Sequence, residues 1–262
     1  MGINVRVAPG SIRQRRGVHN PRAKVLGNNQ KIREHWHPHE TFKTFSKKAH
    51  IAALRPHIGN RWFASIDLES FFEHVTRAKV HRAIENIGFS RTRAFRIAGE
   101  STVRQNEKYS LARGFPQSAV LATLVLDRSL FGSYLRKRND KSALTIYSDD
   151  IILSSNNFQN LVDEYWLIIE LLGRSNFSVN THKSQPPNRE VVVFNIRLSH
   201  KLLRFTDERM WRFFIRAKDL LQNTSSEQRD EKYQEFFGRY VASINSEQAR
   251  QLAESLGVSA AT

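Results

Sequence analysis

The sequence predicts an α+β fold, in which an antiparallel sheet packed with helices is followed by a separate helical appendage. Two observations support this prediction. Short apolar runs on both sides of Tyr147-Ser148-Asp149-Asp150 are typical of a hairpin with two acids at its tip. From Thr206 onward, apolar residues recur with helical spacing, which indicates a helical C-terminal part.

The first 62 residues are strongly basic. They hold 13 Lys and Arg against two acids, Glu34 and Glu40, and supply +11 of the net charge of +16. Such a surplus indicates a polyanionic partner. A disordered basic arm is one reading, but apolar residues recur throughout this segment and favour a nucleic-acid-binding face. We expect a short hairpin within residues 11–26 and a partly helical stretch at 30–45, interrupted at Pro38.

Apolar spacing and turn residues locate the remaining elements. They are a strand at 62–66 entering Asp67, a helix at 80–87, a central helix at 117–137, a hairpin at 144–154, a helix at 158–172 and strands from Val191 and Leu202. Two further helical stripes are interpreted as core: Met210, Phe213, Phe214, Ala217, Leu220 and Leu221, then Tyr233, Phe236, Phe237, Tyr240, Val241 and Ile244. Asn245 and Ser246 can cap a last helix that ends near Leu256.

Composition excludes several classes of site. The chain has no cysteine, so disulfides, a thiolate nucleophile and a Cys-based zinc site are excluded. No apolar run approaches the roughly 20 residues of a membrane span, and no signal-peptide segment is visible. We expect a cytoplasmic protein without a membrane partner. A histidine zinc site is the alternative that His35, His37 and His39 raise, but their spacing is unlike that of known zinc sites.

The acids at the hairpin tip predict a metal site. Presenting paired carboxylates beside a buried flank is costly unless a cation lies nearby. Asp67 follows the first predicted strand and adds a third carboxylate to Asp149 and Asp150. Three carboxylates on neighbouring strand ends can hold two metal ions about 4 Å apart. Mg²⁺ prefers oxygen ligands, so we expect two Mg²⁺ ions, with Mn²⁺ as a substitute.

The sequence resembles bacterial reverse transcriptases of the retron-like and defence-associated groups. Three blocks match their palm motifs in order and spacing: Asp67–Phe72, Gly114–Gln117 and Tyr147–Asp150. Four other blocks also resemble family motifs. Residues 53–57 resemble a retron block, and residues 179–183 resemble the motif after the palm helix. Residues 194–198 occupy the primer-grip position, and residues 237–245 resemble the thumb. The resemblance implies a right-hand polymerase-like palm with short fingers and a C-terminal helical thumb. The corresponding segments are 1–62 (fingers), 63–205 (palm, with finger elements at about 76–115) and 206–262 (thumb).

The resemblance also assigns roles. Asp67, Asp149 and Asp150 are the expected metal ligands, with the Leu68 carbonyl beside them. Lys183 is expected to approach the triphosphate as a charge stabiliser or proton donor; a solvated surface lysine is the alternative.

Four further residues are expected to contact nucleotide or template. Phe72, five residues after Asp67, matches the steric gate that favours deoxynucleotides, and ordinary core is its alternative. Gln117 is expected under the templating base or the incoming nucleotide. Arg15 and Arg22 belong to the fingers and are expected to contact template or dNTP.

The chain departs from the family pattern in two motifs. The family usually shows Pro-Gln-Gly and then Ser-Pro, whereas here Ser118 follows Gln117 and Leu121-Ala122 stands for the second pair. The Asn of the retron block is Ala53. We therefore place the chain nearer the small defence-associated enzymes, with a retron as runner-up. We expect neither the N-terminal extension of group II intron enzymes nor an endonuclease, ribonuclease H or maturase segment.

The expected function is RNA-directed DNA synthesis in antiphage defence, with a noncoding RNA as template or partner, dNTPs as substrates and DNA as product. A retron enzyme making a branched RNA–DNA product is one alternative. Template-independent or protein-primed synthesis is another. The non-enzymatic alternative is an RNA-binding scaffold with a vestigial palm. We expect that a core this short needs RNA, another protein or a second copy of the chain to be complete.

Overall fold

The computed structural model describes residues 21–260 except Asn106 and Asp140, with side chains from Asn28 onward. Its helices are α1 (Pro21–His35), α2 (Ala49–Leu54), α3 (Phe71–His74), α4 (Arg77–Asn86), α5 (Arg91–Ser101), α6 (Ser118–Asp127), α7 (Leu130–Leu135), α8 (Phe158–Arg174), α9 (Asp207–Gln222), α10 (Arg229–Tyr233), α11 (Arg239–Ala242) and α12 (Ser246–Leu256). Its strands are β1 (Trp62–Glu69), β2 (Thr102–Gln105), β3 (Lys108–Leu111), β4 (Ala143–Tyr147), β5 (Asp150–Ser155), β6 (Ser178–Val179), β7 (Gln185–Asn188), β8 (Glu190–Val193), β9 (Ile196–Ser199) and β10 (Leu202–Phe205).

The central sheet has the strand order β4-β5-β1-β6, and β7 also pairs with β1. All of its pairings are antiparallel. A second sheet has the order β10-β9-β8, and β2 with β3 forms a separate hairpin. This arrangement, in which helices pack around an antiparallel sheet, confirms the predicted α+β class.

The central sheet lies between two hydrophobic cores. Along β1, Ala64, Ile66 and Leu68 pack with α4, α6 and α8 in the first core, whereas Phe63 joins the second core. Alternating side chains on a strand face opposite ways, which explains this division. The second core contains α2, the second sheet and the C-terminal helices. Elements of all three predicted segments share these cores, so their boundaries stay a prediction.

The prediction of one continuous helix at 117–137 is wrong, because two separate helices, α6 and α7, occupy this segment. The side chain of Ser129 accepts a hydrogen bond from the backbone N–H of Gly132 and starts a new helix. A Cβ on Gly132 would overlap the backbone of Asp127, so the close turn requires glycine. The buried Asp127 in turn accepts hydrogen bonds from Trp36 Nε1 (2.7 Å) and from Arg136 (2.9 Å), which fastens α1 to this corner.

Other expectations also differ from the structure. The hairpin expected within residues 11–26 lies partly outside the described residues, and its last part is the start of α1, where Pro21 takes the first helical position. Helix α5 and the β2–β3 hairpin had not been predicted. Phe236, expected in the core, is 57% exposed. A π-helical turn at Gln234–Gly238 shifts the helical register and rotates this side chain outward.

No helix in the described ranges is long and apolar enough to cross a membrane. The strands from Val191 and Leu202, the helix at 158–172 and the cap at Asn245 are confirmed.

Candidate active site

Asp67 and Asp150 face each other across the central sheet. They are register partners in the β1–β5 pairing, so their side chains lie on the same face of adjacent strands. Asp67 was expected at the end of its strand, but β1 continues to Glu69. The strand therefore presents Asp67 from within a hydrogen-bonded ladder, which holds its backbone more rigidly than a loop would.

Asp149 lies in the two-residue turn between β4 and β5. Ser148, the first central residue, has a φ of 58°, as in the type II′ turns that suit hairpins. Two contacts fix the turn: the Asp149 carbonyl accepts a hydrogen bond from Leu68 N–H (2.9 Å), and Ser148 N–H donates to Thr44 Oγ1 (3.3 Å). The structure thus brings together the three acids that the sequence selected.

A short loop after β6 holds Asp67 from the other side. The side chain of Asn180 donates a hydrogen bond to the Asp67 carboxylate, and its backbone N–H donates to the Asp67 carbonyl (2.8 Å). Asp67 N–H donates to Ser184 Oγ (3.0 Å). Lys183 Nζ lies 3.9 Å from Asp67 Oδ1 and its side chain is 69% exposed, so it can reach an incoming ligand.

Asn180 and Ser184 are positioning residues whose roles the sequence did not show. Asn180 Oδ1 also accepts the backbone N–H groups of His182 (3.1 Å) and Lys183 (3.3 Å). An Asn in a turn commonly closes its own backbone this way. That chemistry was the available signal, and it connects the Lys183 loop to Asp67.

Burial and neighbouring like charges raise the pKa of both facing acids, Asp67 and Asp150. Burial raises the pKa of Asp150 to about 7, with the neighbouring Asp149 and Asp67 carboxylates adding to the effect and Lys183 opposing it. Burial also raises the pKa of Asp67, against the opposing effects of Lys183 and the Asn180 hydrogen bond. Clustered carboxylates penalise each other's ionisation, and a nearby cation relieves that penalty.

The remaining predicted residues are placed less uniformly. Phe72 lies in α3, partly buried against the first core, with its ring 5.5 Å from that of Phe71. Gln117 is only 5% exposed, and its Oε1 has no hydrogen-bond partner among the described residues. Arg15 lies outside the described residues, and so does the side chain of Arg22, whose backbone belongs to α1. The template and nucleotide roles of all four stay predictions.

A buried histidine supports the back of the β4–β5 hairpin. His57 Nε2 lies 2.8 Å from Thr145 Oγ1 on β4, and its Nδ1 lies 2.7 Å from Ser154 Oγ on β5. Since Thr145 donates its hydroxyl proton to the Ala53 carbonyl (2.7 Å), it accepts from His57, which assigns the proton to Nε2. Burial, with a smaller effect of Lys43, lowers the pKa of His57 to about 3.

The turn between β8 and β9 packs against the front of the same hairpin. Phe194 and Asn195 have φ values of 59° and 60°, the pattern of a type I′ turn. A positive φ is unusual for a residue as large as Phe. The Phe194 ring meets that of Tyr147 edge-on at 5.2 Å, which places this turn next to the four residues that begin with Tyr147.

Comparison with known proteins decides the family. The family model for reverse transcriptase (RNA-dependent DNA polymerase) matches residues 9–196, more than half of the chain. The chain belongs to the reverse transcriptase family. A curated relative within it, the retron Ec86 reverse transcriptase of Escherichia coli, is 30% identical over 132 residues, or 49% of this chain. The chain spans only 39% of the length of that reverse transcriptase.

Solved structures agree on the fold of this reverse transcriptase family member. A telomerase from Candida albicans in complex with a fragment of telomeric RNA matches with a TM-score of 0.53 at 12% identity, covering 89% of this chain and 46% of that one. An apo telomerase from Candida tropicalis matches with a TM-score of 0.50 at 12% identity, covering 90% and 48%. At such identities the likeness concerns the fold alone. It confirms the predicted polymerase-like palm architecture.

Reverse transcriptases generally use divalent metal ions, and the acids here fit one. The donor set is all oxygen, and burial, with the neighbouring Asp149 and Asp67 carboxylates adding to the effect, raises the pKa of Asp150 to about 7. No group of three or more His, Cys, Asp or Glu side chains within the described ranges is arranged to hold a metal by itself. Mg²⁺ is usually bound through one or two carboxylates together with substrate phosphates and water.

Three histidines between residues 35 and 50 make contacts of other kinds. The His35 ring lies 4.8 Å from that of Phe89, and His39 Nδ1 contacts Thr41 Oγ1 at 3.1 Å. His50 Nε2 lies 3.0 Å from the Tyr240 hydroxyl.

Proposed function

We propose that this chain is an RNA-directed DNA polymerase that uses two Mg²⁺ ions for nucleotidyl transfer in the bacterial cytoplasm. The observation that supports it is the Asp67–Asp150 pair, which faces across two adjacent strands with Asp149 in the turn beside it. Asp67, Asp149 and Asp150, with the Leu68 carbonyl, would hold the ions. Bound Mg²⁺ would activate a primer 3′-hydroxyl and neutralise the pyrophosphate leaving group.

The chain's own residues would orient the reactants. Asn180 fixes the Asp67 carboxylate, and the same residue closes the loop that carries Lys183. Lys183 is held near Asp67 yet largely exposed, so its ammonium group can contact a triphosphate. Positioning and charge stabilisation account for most of the catalysis in phosphoryl transfer, and these residues supply both.

The partner we propose is a structured noncoding RNA that serves as template, with DNA as product. The support is the 30% identity to a retron reverse transcriptase, which favours the retron alternative for this chain. A role in antiphage defence is part of the same proposal. The basic residues exposed along the described chain, together with the net charge of +16, suit a polyanionic partner.

We expect the purified protein to extend a DNA primer on an RNA template when dNTPs and Mg²⁺ or Mn²⁺ are present. EDTA should reduce incorporation to background, because charge neutralisation at the carboxylates then fails. Denaturing gel electrophoresis of a labelled primer measures both results. Incorporation that persists undiminished in excess chelator would contradict the metal-dependent mechanism.

Controls separate the alternative activities. Reactions without template test template-independent synthesis, and protease digestion of the product tests for covalently attached protein. Tight RNA binding without nucleotide incorporation, across several templates and with both metals, would instead support the alternative of an RNA-binding scaffold with a vestigial palm.

Phe72 should set the preference for deoxynucleotides. Replacing it in Phe72→Val removes the ring expected to collide with a ribose 2′-hydroxyl, so the preference for dNTPs over rNTPs should fall by about 10- to 100-fold. Phe72→Tyr keeps the ring and should keep the preference. Single-nucleotide incorporation kinetics with dNTP and rNTP measure the ratio. An unchanged ratio in Phe72→Val would leave Phe72 as ordinary core.

A further inference from the structure

Helix α5 presents a basic outer face with an aromatic ring in its centre. Phe95 is 63% exposed, which makes it one of the most exposed large apolar side chains among the described residues. Arg91 lies one helical turn before it and Arg96 directly after it, and both are exposed. The opposite face of α5 is buried in the first core through Ala94, Ile97 and Ala98.

Among the described residues, the two arginines on this face lack an acidic partner. Neither Arg91 nor Arg96 has an ion-pair or hydrogen-bond partner in the part of the chain that the structure describes. The surrounding sequence, residues 77–113, contains nine Lys and Arg against three acids. The face therefore lies in a positive local field, which attracts phosphate groups.

A neighbouring helix contacts the aromatic ring. The His81 ring of α4 meets the Phe95 ring edge-on, with centroids 6.0 Å apart and planes at 89°. By contrast, the exposed ring of Tyr109 on β3 has Arg77 stacked over it at 3.8 Å. Phe95 thus combines high exposure, a ring contact with His81 and flanking cations.

We propose that Arg91, Phe95 and Arg96 form an accessory binding surface for single-stranded nucleic acid. One unpaired base would stack on Phe95, and the two guanidinium groups would contact the adjacent phosphates. Aromatic stacking platforms flanked by cations are how proteins bind single strands without reading sequence. This surface needs neither metal nor nucleotide transfer, so it goes beyond the proposed polymerase activity and is tested apart from it.

Equilibrium binding tests the stacking step. The probes are fluorescein-labelled oligo-dT and oligo-rU of about 12 nucleotides, a length within known single-strand site sizes. Their binding is measured in EDTA. The parent protein for this assay is the double variant Asp149→Asn with Asp150→Asn. Adding Phe95→Leu keeps an apolar side chain but removes the ring, and should weaken binding about tenfold. Phe95→Tyr should bind as the parent does. Phe236→Leu is the matched control, because Phe236 is also exposed, at 57%, but lies beside Glu235.

Salt dependence and crosslinking locate the contact. Arg91→Gln with Arg96→Gln should reduce the slope of log Kobs against log salt by about 1.4, since each phosphate contact to a single strand contributes roughly 0.7. Oligonucleotides containing 5-iodouridine should crosslink to the peptide that contains Phe95. Comparison of the dT and rU probes shows whether the occupant is DNA or RNA.

Three results would overturn the proposal. One is a Phe95→Leu affinity within about twofold of the parent for both probes, and a second is crosslinks that map only elsewhere. Equal competition by polyglutamate in parent and Phe95→Leu would also overturn it, since an acidic protein would then be the occupant. Failure of primer extension by the otherwise intact chain would count against the polymerase alone, because this binding assay contains no metal.

Discussion

Asp149→Asn combined with Asp150→Asn should reduce RNA-templated dNTP incorporation by at least about a thousandfold. These residues are two of the three acids that the β4–β5 hairpin and β1 bring together. Asn keeps the size of each side chain but removes the charge on which metal binding and charge stabilisation depend, and losses of such electrostatic groups commonly cost a factor of 10² to 10³ each. Steady-state primer extension under saturating dNTP measures the effect.

The same double substitution should leave the metal-free protein folded and at least as stable. Asp150 is destabilised in its charged form by burial and by the Asp149 and Asp67 carboxylates, so removing these charges relieves repulsion. Urea unfolding in EDTA at about pH 8 tests this. The matched control is Asp163→Asn with Asp219→Asn, which removes two charges from exposed helix positions and should retain full incorporation. Equal loss in both double variants would mean that net charge, and not the site, is responsible.

The cluster of three acids was predictable because local pattern and chemistry agreed. Two apolar runs around Asp149-Asp150 determine a hairpin by themselves, and an acid pair at a tight turn needs little long-range information. Their partner was harder to place. Asp67 was expected at a strand end, whereas it lies opposite Asp150 within the ladder, and the register between β1 and β5 depends on pairing between residues more than 80 positions apart.

Other features were missed for separate physical reasons. Strand β7 contains two prolines, and proline counts against a strand assignment because it cannot donate a backbone hydrogen bond. The prolines are tolerated because β7 pairs only with β1 in the described sheet. Asn180 and Ser184 lie in a polar loop, and no periodicity reveals that they hold Asp67. Helix α5 was detectable in principle, because Ser90 precedes it and Ala94, Ile97 and Ala98 share one helical face. Only the structure showed that Phe95 faces outward between them.

His57→Gln should make the protein less stable at neutral pH, by about 2–4 kcal/mol. His57 is fully buried and joins a chain of hydrogen bonds from the Ala53 carbonyl through Thr145 to Ser154. Asn60 Nδ2 completes the chain by donating to Ser154 Oγ (2.7 Å). Glutamine cannot reach both hydroxyl groups with the same geometry, so at least one buried polar atom is left without its partner.

The stability difference between parent and His57→Gln should shrink as pH falls. The pKa of His57 is about 3 in the folded protein and 6.5 in the unfolded chain. Above pH 6.5 both states hold the neutral ring. Below it the unfolded chain binds a proton that the folded protein does not, so the parent loses about 1.4 kcal/mol of unfolding free energy per pH unit. At about pH 5 the parent should have lost roughly 2 kcal/mol relative to the variant.

Urea unfolding at several pH values between about 5 and 8 measures this difference directly. His37→Gln is the matched control, because His37 is exposed and its removal should leave the pH profile parallel to that of the parent. A constant gap between parent and His57→Gln across this range would show that His57 is not held neutral. A closing gap would mean that strands β4 and β5 depend on an uncharged imidazole, so mild acid should loosen the hairpin that presents Asp149.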